Sequence, residues 1–167
     1  ENKVQEATSK WFDTKVTNPS LRLHMIGKLQ NNKARDAVKI FDYIHSLDNQ
    51  KLAANLVKSQ NSLNQNLEYF IQVNIGNELQ KSGIHVNELD SFYNYCAKEI
   101  KLKVIGLMVI PPNDKLSKKY FKELNELNSS LALKELSMGM SSDYIDAINC
   151  GATFVRIGSL IFGNRFK

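Results

Sequence analysis

Two short stretches near the C-terminal end hold the residues best suited to chemistry: Ser137-Met138-Gly139-Met140-Ser141 and Arg156-Ile157-Gly158-Ser159. In the first, two hydroxyls flank a glycine just ahead of a helix predicted to start near Ser141 or Ser142, with Asp143 in its first turn. Backbone N–H groups at such a start are free and carry partial positive charge, which suits a phosphate dianion. Gly158 and Ser159 repeat these features one strand later. Ordinary N-caps and turn glycines are spelled the same way, so spacing alone leaves a phosphate cradle and a capped turn both open. Arg156 adds a different signal. It lies mid-strand between Val155 and Ile157, so its side chain points away from theirs. A cation facing a barrel interior needs an anionic or hydrogen-bond-accepting partner; the alternative is an arginine on an exposed sheet edge. His24 is also inside a strand, between Leu23 and Met25, where a hydrogen-bonded structural histidine is the commoner case. His45, in a second short strand, and His85, in a loop, carry less weight.

The elements that would position these residues alternate along the whole chain. Strands are expected at Leu21–Ile26, Tyr43–Leu47, Tyr69–Asn74, Val104–Ile110, Leu133–Met138 and Phe154–Gly158. Between them run amphipathic helices, whose apolar residues recur at helical spacing: Ala34, Ala37, Val38 and Phe41; Leu52, Leu56 and Val57; Leu89, Phe92, Tyr93 and Cys96; Leu116, Tyr120, Leu124 and Leu127. Asn31 or Asn32 is the expected N-cap of the first of these helices and Asp48 of the second. Pro111-Pro112 stops the fourth strand. The segment Phe162–Lys167 reads as a short terminal helix or coil. Strands joined by helical crossovers imply a parallel sheet, and ligands of such sheets bind at the carboxyl ends of the strands. No linker interrupts the pattern, so residues 1–167 are read as one α/β domain. Six strands fit a doubly wound sheet or an incomplete barrel equally well, since a closed barrel of this type needs eight.

The totals exclude several classes. With 167 residues, 43% hydrophobic and 23% charged, the chain has the composition of a water-soluble globular domain. It has neither a transmembrane-length apolar run nor a signal peptide. The net charge of +5 comes from lysines scattered over helix faces, without the basic-aromatic interleaving of a nucleic-acid binder. Cys96 and Cys150 both fall on apolar helix faces and are read as buried thiols in a reducing, cytoplasmic compartment. No Cys/His spacing suits zinc, and there is no serine-hydrolase elbow, Walker loop or dinucleotide-binding glycine fingerprint. The first residue is not Met, which points to a processed chain or a piece of a longer one.

Several segments, in order, resemble the pyridoxal phosphate homeostasis protein family, whose barrel is similar to the N-terminal domain of alanine racemase. Glu1 to Glu6 looks like the end of the family's Gly-Glu-Asn-x-x-Gln-Glu motif, and His24 to Lys33 matches its His-x-Ile-Gly-x-Leu-Gln-x-Asn-Lys. Val73-Asn74-Ile75-Gly76 with Lys81-Ser82-Gly83, Gly106-Leu107-Met108 with Pro111-Pro112, Leu136 to Ser142, and Val155 to Gly158 match later segments. The resemblance implies an eight-stranded, TIM-type, pyridoxal phosphate-binding barrel whose first two strands precede Glu1. It implies that Ser137 and Ser141, with the backbone at Gly158 and Ser159, bind the cofactor phosphate. Arg156 would face the pyridine nitrogen, and Asn2 and His24 would line the pocket. The family's cofactor-bonding lysine lies upstream of Glu1, so no catalytic residue is nominated here, and weak, non-covalent cofactor binding is expected of this chain. The implied role is intracellular cofactor homeostasis without robust catalysis, by an intact monomer that delivers to apo-enzymes. An amino-acid racemase-like enzyme and an unrelated phosphate-ligand barrel are the alternatives.

Overall fold

The computed structural model describes residues 1–78 and 80–163. An opening helix, α1 (Val4–Thr17), precedes alternating strands and helices. These are β1 (His24–Met25), α2 (Ala34–Ile40), β2 (Tyr43–Leu47), α3 (Gln50–Leu63), β3 (Glu68–Asn74), β4 (Ile84–His85), α4 (Leu89–Asn94), β5 (Val104–Met108), α5 (Ser117–Ser130), β6 (Glu135–Met140), α6 (Tyr144–Asn149), β7 (Phe154–Arg156) and α7 (Ser159–Phe162). All strand pairs are parallel, in the order β1-β2-β3-β5-β6-β7, with β4 pairing β3 off this path. Strands therefore add in chain order with no reversal. That is the rule of a (β/α) barrel; a doubly wound sheet reverses at a switch point.

The sheet is curled. His45 Nδ1 on β2 lies 2.8 Å from Ser137 Oγ on β6, although β3 and β5 stand between them. In a flat sheet three strand spacings would separate those strands by roughly 14 Å. The molecule is an α/β, TIM-type half-barrel, with helices outside and a concave inner face. β1 and β7 end the ladder, and Val155, Leu160 and Ile161 beside the β7 edge are exposed.

Alternation along the strands sorts residues between two faces. Ile44, Leu47, Tyr69, Ile71 and Leu107 pack outward against Leu52, Leu56, Phe121 and Leu124 of the helices, forming one apolar core. Each such side chain, fully buried, contributes about 1.5–3 kcal/mol. Two buried amides tie helices to the sheet. Gln60 of α3 accepts hydrogen bonds from the Tyr69 hydroxyl (2.9 Å) and the Leu67 amide (3.2 Å). Asn128 of α5 accepts from the Leu107 amide (3.1 Å) and donates to the Leu133 carbonyl (3.0 Å). Cys96 and Cys150 are buried free thiols, as expected, and burial pushes the Cys96 thiol up to about 12. Among the described residues no helix is long and apolar enough to cross a membrane.

Several boundaries differ from the expected ones. Asn49, not Asp48, caps α3, its side chain accepting from the Leu52 amide at 2.8 Å. Asn31 opens a 3-10 turn leading to α2, and neither it nor Asn32 caps with its side chain. The first strand shrinks from six residues to two, because β1 has a partner on one side only. His85 is not in a loop: it pairs with Asn74 in the two-residue β4. β6 runs two residues later than the expected Leu133–Met138. The terminal helix occupies Ser159–Phe162; of the segment expected to be helix or coil, residues 164–167 lie outside the described ones.

Candidate functional site

The concave face gathers side chains from both ends of the half-barrel. Leu23 and Met25 enter the core, so His24 on β1 turns the other way. It stacks on Tyr43 of β2, with ring centroids 4.2 Å apart and planes 2° from parallel. His24 Nδ1 is 2.9 Å from His45 Nε2. His45 stacks on Phe70 of β3 at 4.3 Å and meets the edge of Phe154 of β7 at 5.9 Å. Its Nδ1 reaches Ser137 Oγ, and the same oxygen accepts from Arg156 Nη1 at 2.9 Å. Arg156 Nη2 donates to the Val109 carbonyl at 2.8 Å. One polar chain thus runs from β1 through β2 and β6 to β7, set in an aromatic floor of Tyr43, Phe70 and Phe154.

Electrostatics follow from burial. Desolvation, with the adjacent His24 and Arg156 charges adding to it, brings the His45 imidazole down to about 3. His24 is also lowered, again chiefly by burial, with the Asp42 carboxylate pulling the other way. Burial lowers Arg156 to about 10, opposed by Asp143. At neutral pH both imidazoles are neutral and the guanidinium keeps its charge.

This chain borders a cavity of about 650 Å³ lined by Asn2, His24, His45, Phe154, Arg156 and Gly158 among others. Among the described residues the only carboxylate at its wall is Glu1, which accepts from Trp11 Nε1 at 2.6 Å and pairs with Lys10. Arg156 and Arg22 also line it, so the field there favours an anion. Beyond β7, the exposed Gly158 amide aims at Ser141 Oγ at 3.4 Å, and Ser159 opens α7.

The expected residues separate into two groups. Ser141, Gly158 and Ser159 gather at the carboxyl ends of β6 and β7. His24, Arg156 and Asn2 line the cavity, and Arg156 faces inward as its alternation with Val155 requires. Ser137 is in neither position. The two-residue shift of β6 places it inside the strand, fully buried, with its hydroxyl already engaged by His45 and Arg156. His45, Tyr43, Phe70 and Phe154 were not singled out as site residues. One signal for His45 was present: it is a second strand histidine, on the strand paired with that of His24.

The family model for the alanine racemase N-terminal domain matches residues 3–165. The pyridoxal phosphate homeostasis protein of Aquifex aeolicus is 40% identical over 174 residues, covering 99% of this chain and 75% of that protein. The chain belongs to the pyridoxal phosphate homeostasis protein family, within the alanine racemase N-terminal fold. The Synechocystis protein of the same name is 38% identical, covering 99% of this chain and 79% of that protein. Among solved structures, PipY of Synechococcus elongatus with PLP bound superposes with a TM-score of 0.88 at 35% identity, covering 98% of this chain and 80% of that one.

Proposed function

We propose that this half-barrel binds pyridoxal phosphate and serves cofactor homeostasis. The observation that carries the reading is Arg156: an inward guanidinium on an aromatic floor, two residues before a glycine–serine pair that meets Ser141. The residues present fit the group. Ser141, Gly158 and Ser159 would take the phosphate. Asn2, His24 and Phe154 would flank the ring, with Arg156 at its nitrogen. Ser137, with its hydroxyl committed, would hold Arg156 in place instead of touching phosphate. When bound, the cofactor supplies an electron-withdrawing ring. A guanidinium that stays charged up to about pH 10 cannot protonate the ring nitrogen at neutral pH, which leaves the ring a poor electron sink. That favours storage and delivery over broad amino-acid catalysis. Delivery to apo-enzymes, by a monomeric intact protein in the cytoplasm, completes the reading; the two buried free thiols suit a reducing compartment.

Trp11 is the single tryptophan and lines the cavity, so its fluorescence reports occupancy. Saturable quenching by pyridoxal phosphate is expected, and Arg156→Ala is expected to weaken it at least about tenfold, the equivalent of 1.4 kcal/mol. Equal competition by a phosphosugar, or no saturation, would overturn the reading. Measurable alanine racemisation by the protein would favour the enzyme alternative.

A further inference from the structure

Four groups on four strands form the polar chain, and their protons can be counted. Arginine only donates, so Arg156 Nη1 gives its hydrogen to Ser137 Oγ. The Ser137 hydroxyl hydrogen must then go to an acceptor, because the residue is fully buried and water does not reach it. His45 Nδ1, 2.8 Å away, is the one acceptor recorded for it among the described residues. A neutral imidazole with Nδ1 accepting carries its hydrogen on Nε2. His45 Nε2 therefore donates to His24 Nδ1, 2.9 Å away. His24 in turn must carry its hydrogen on Nε2. That atom has no protein partner among the described residues and is not among the buried unsatisfied ones, and His24 lines the cavity. The reverse direction fails on one proton. If His45 donated to Ser137 Oγ, that oxygen would accept twice and its own hydrogen would be buried without a partner, costing about 1–3 kcal/mol.

We propose that Arg156, Ser137 and His45 form a one-directional hydrogen-bond chain that fixes His24 as the Nε2–H tautomer, making it a donor to an acceptor atom of the bound ligand. Ser137 and His45 are positioning residues; His24 is the group that touches the ligand. The low proton affinity of both imidazoles agrees with this, since a second proton on His24 would put two donors face to face across 2.9 Å, and one on His45 would meet the Ser137 hydroxyl hydrogen across 2.8 Å. The cavity would then meet its ligand with donors at both His24 and Arg156, selecting a ligand edge with unprotonated oxygen or nitrogen. The ligand side of this proposal rests on the pyridoxal phosphate reading; the proton arrangement does not.

The test is long-range proton–nitrogen NMR of the histidine-labelled chain without ligand, near neutral pH, with His85→Gln used for assignment. Both His24 and His45 are expected as single Nε2–H tautomers. Ser137→Ala is expected to leave His45 and His24 as tautomer mixtures. An Nδ1–H form or a mixture at His24 in the unsubstituted chain overturns the proposal, and so does a folded Ser137→Ala protein with unchanged tautomers. The unsubstituted spectrum decides even if the variant does not fold. In the ligand arm, His24→Phe keeps the stack on Tyr43 and removes the donor; affinity for pyridoxal phosphate should fall about two- to twelvefold, the range of one hydrogen bond, with partial recovery in His24→Gln. Equal affinity in His24→Phe sinks the donor role. No binding by the unsubstituted chain sinks the cofactor reading alone and leaves the tautomer result standing.

Discussion

Acid should unfold this protein through His45, and the size of the effect can be worked out. Facing His45 are His24 from β1, Arg156 from β7, the Ser137 hydroxyl from β6, and the rings of Phe70 and Phe154. None of these carries a negative charge to offset the burial of an imidazolium, and Arg156 adds a positive one. In the unfolded chain the imidazole titrates near 6.5; in the folded chain it stays neutral down to about 3. Between those values the unfolded state binds more protons, so stability falls as pH falls. The deficit grows by about 1.4 kcal/mol per pH unit, reaching about 2 kcal/mol at pH 5. Urea unfolding near pH 7.5 and pH 5 of the natural chain and of His45→Gln isolates the effect. The natural chain should lose about 2 kcal/mol more than the variant across that interval. The lowered carboxyls of Glu1 and Glu68, neither of which is hydrogen-bonded to His45, are present in both proteins and cancel in the difference. A variant with the same pH dependence, within about 0.5 kcal/mol, would refute the claim that His45 is held neutral by its surroundings.

Three further outcomes are expected. At Gly158 a Cβ would meet nothing within 4 Å, and φ there is −121°, outside the left-handed region that favours glycine; Gly158→Ala should therefore leave urea stability within about 0.5 kcal/mol while weakening pyridoxal phosphate binding about tenfold, and equal binding would remove Gly158 from the phosphate site. Among the described residues no lysine lines the 650 Å³ cavity, so borohydride treatment of the chain with pyridoxal phosphate should trap no stoichiometric covalent adduct by mass spectrometry; a one-to-one adduct on a single lysine would contradict this. Asn128→Ala strands the buried Leu107 amide and should cost about 1–3 kcal/mol in urea unfolding, with ligand affinity per folded molecule unchanged.

The alternation of strand and helix was legible because each element is long enough to show its own period. The inward aim of Arg156 was legible for the same reason: Val155 and Ile157 fix the phase of the strand locally. Closure was not legible. Whether six strands flatten or curl depends on contacts such as His45 to Ser137, 92 residues apart, which leave no mark on either local pattern. The placement of Ser137 failed by the same route. Its neighbours read correctly as strand, but which end of the strand carries it depends on the register against β5 and β7, and the β6–β7 pairing shifts between Ser137 and Met140. β4 escaped because two residues cannot display a period of two. Asp48 and Asn49 are adjacent and equally suited to cap α3, so only the turn geometry chooses between them.

The misplacement of Ser137 changes how the site works. Had Ser137 stood at the strand exit, the phosphate end and the ring end would have been independent groups of ligands. With Ser137 buried between Arg156 and His45, the cation that lines the cavity is tied to the ring that meets His24. Removing the hydroxyl then strands a guanidinium hydrogen and an imidazole nitrogen together, and in a coupled chain such losses are not additive. Ser137→Ala and His45→Gln should therefore cost less in combination than the sum of their separate effects on stability. Strict additivity, within about 0.3–0.5 kcal/mol, would mean that the two residues act independently and that no connected chain spans the half-barrel.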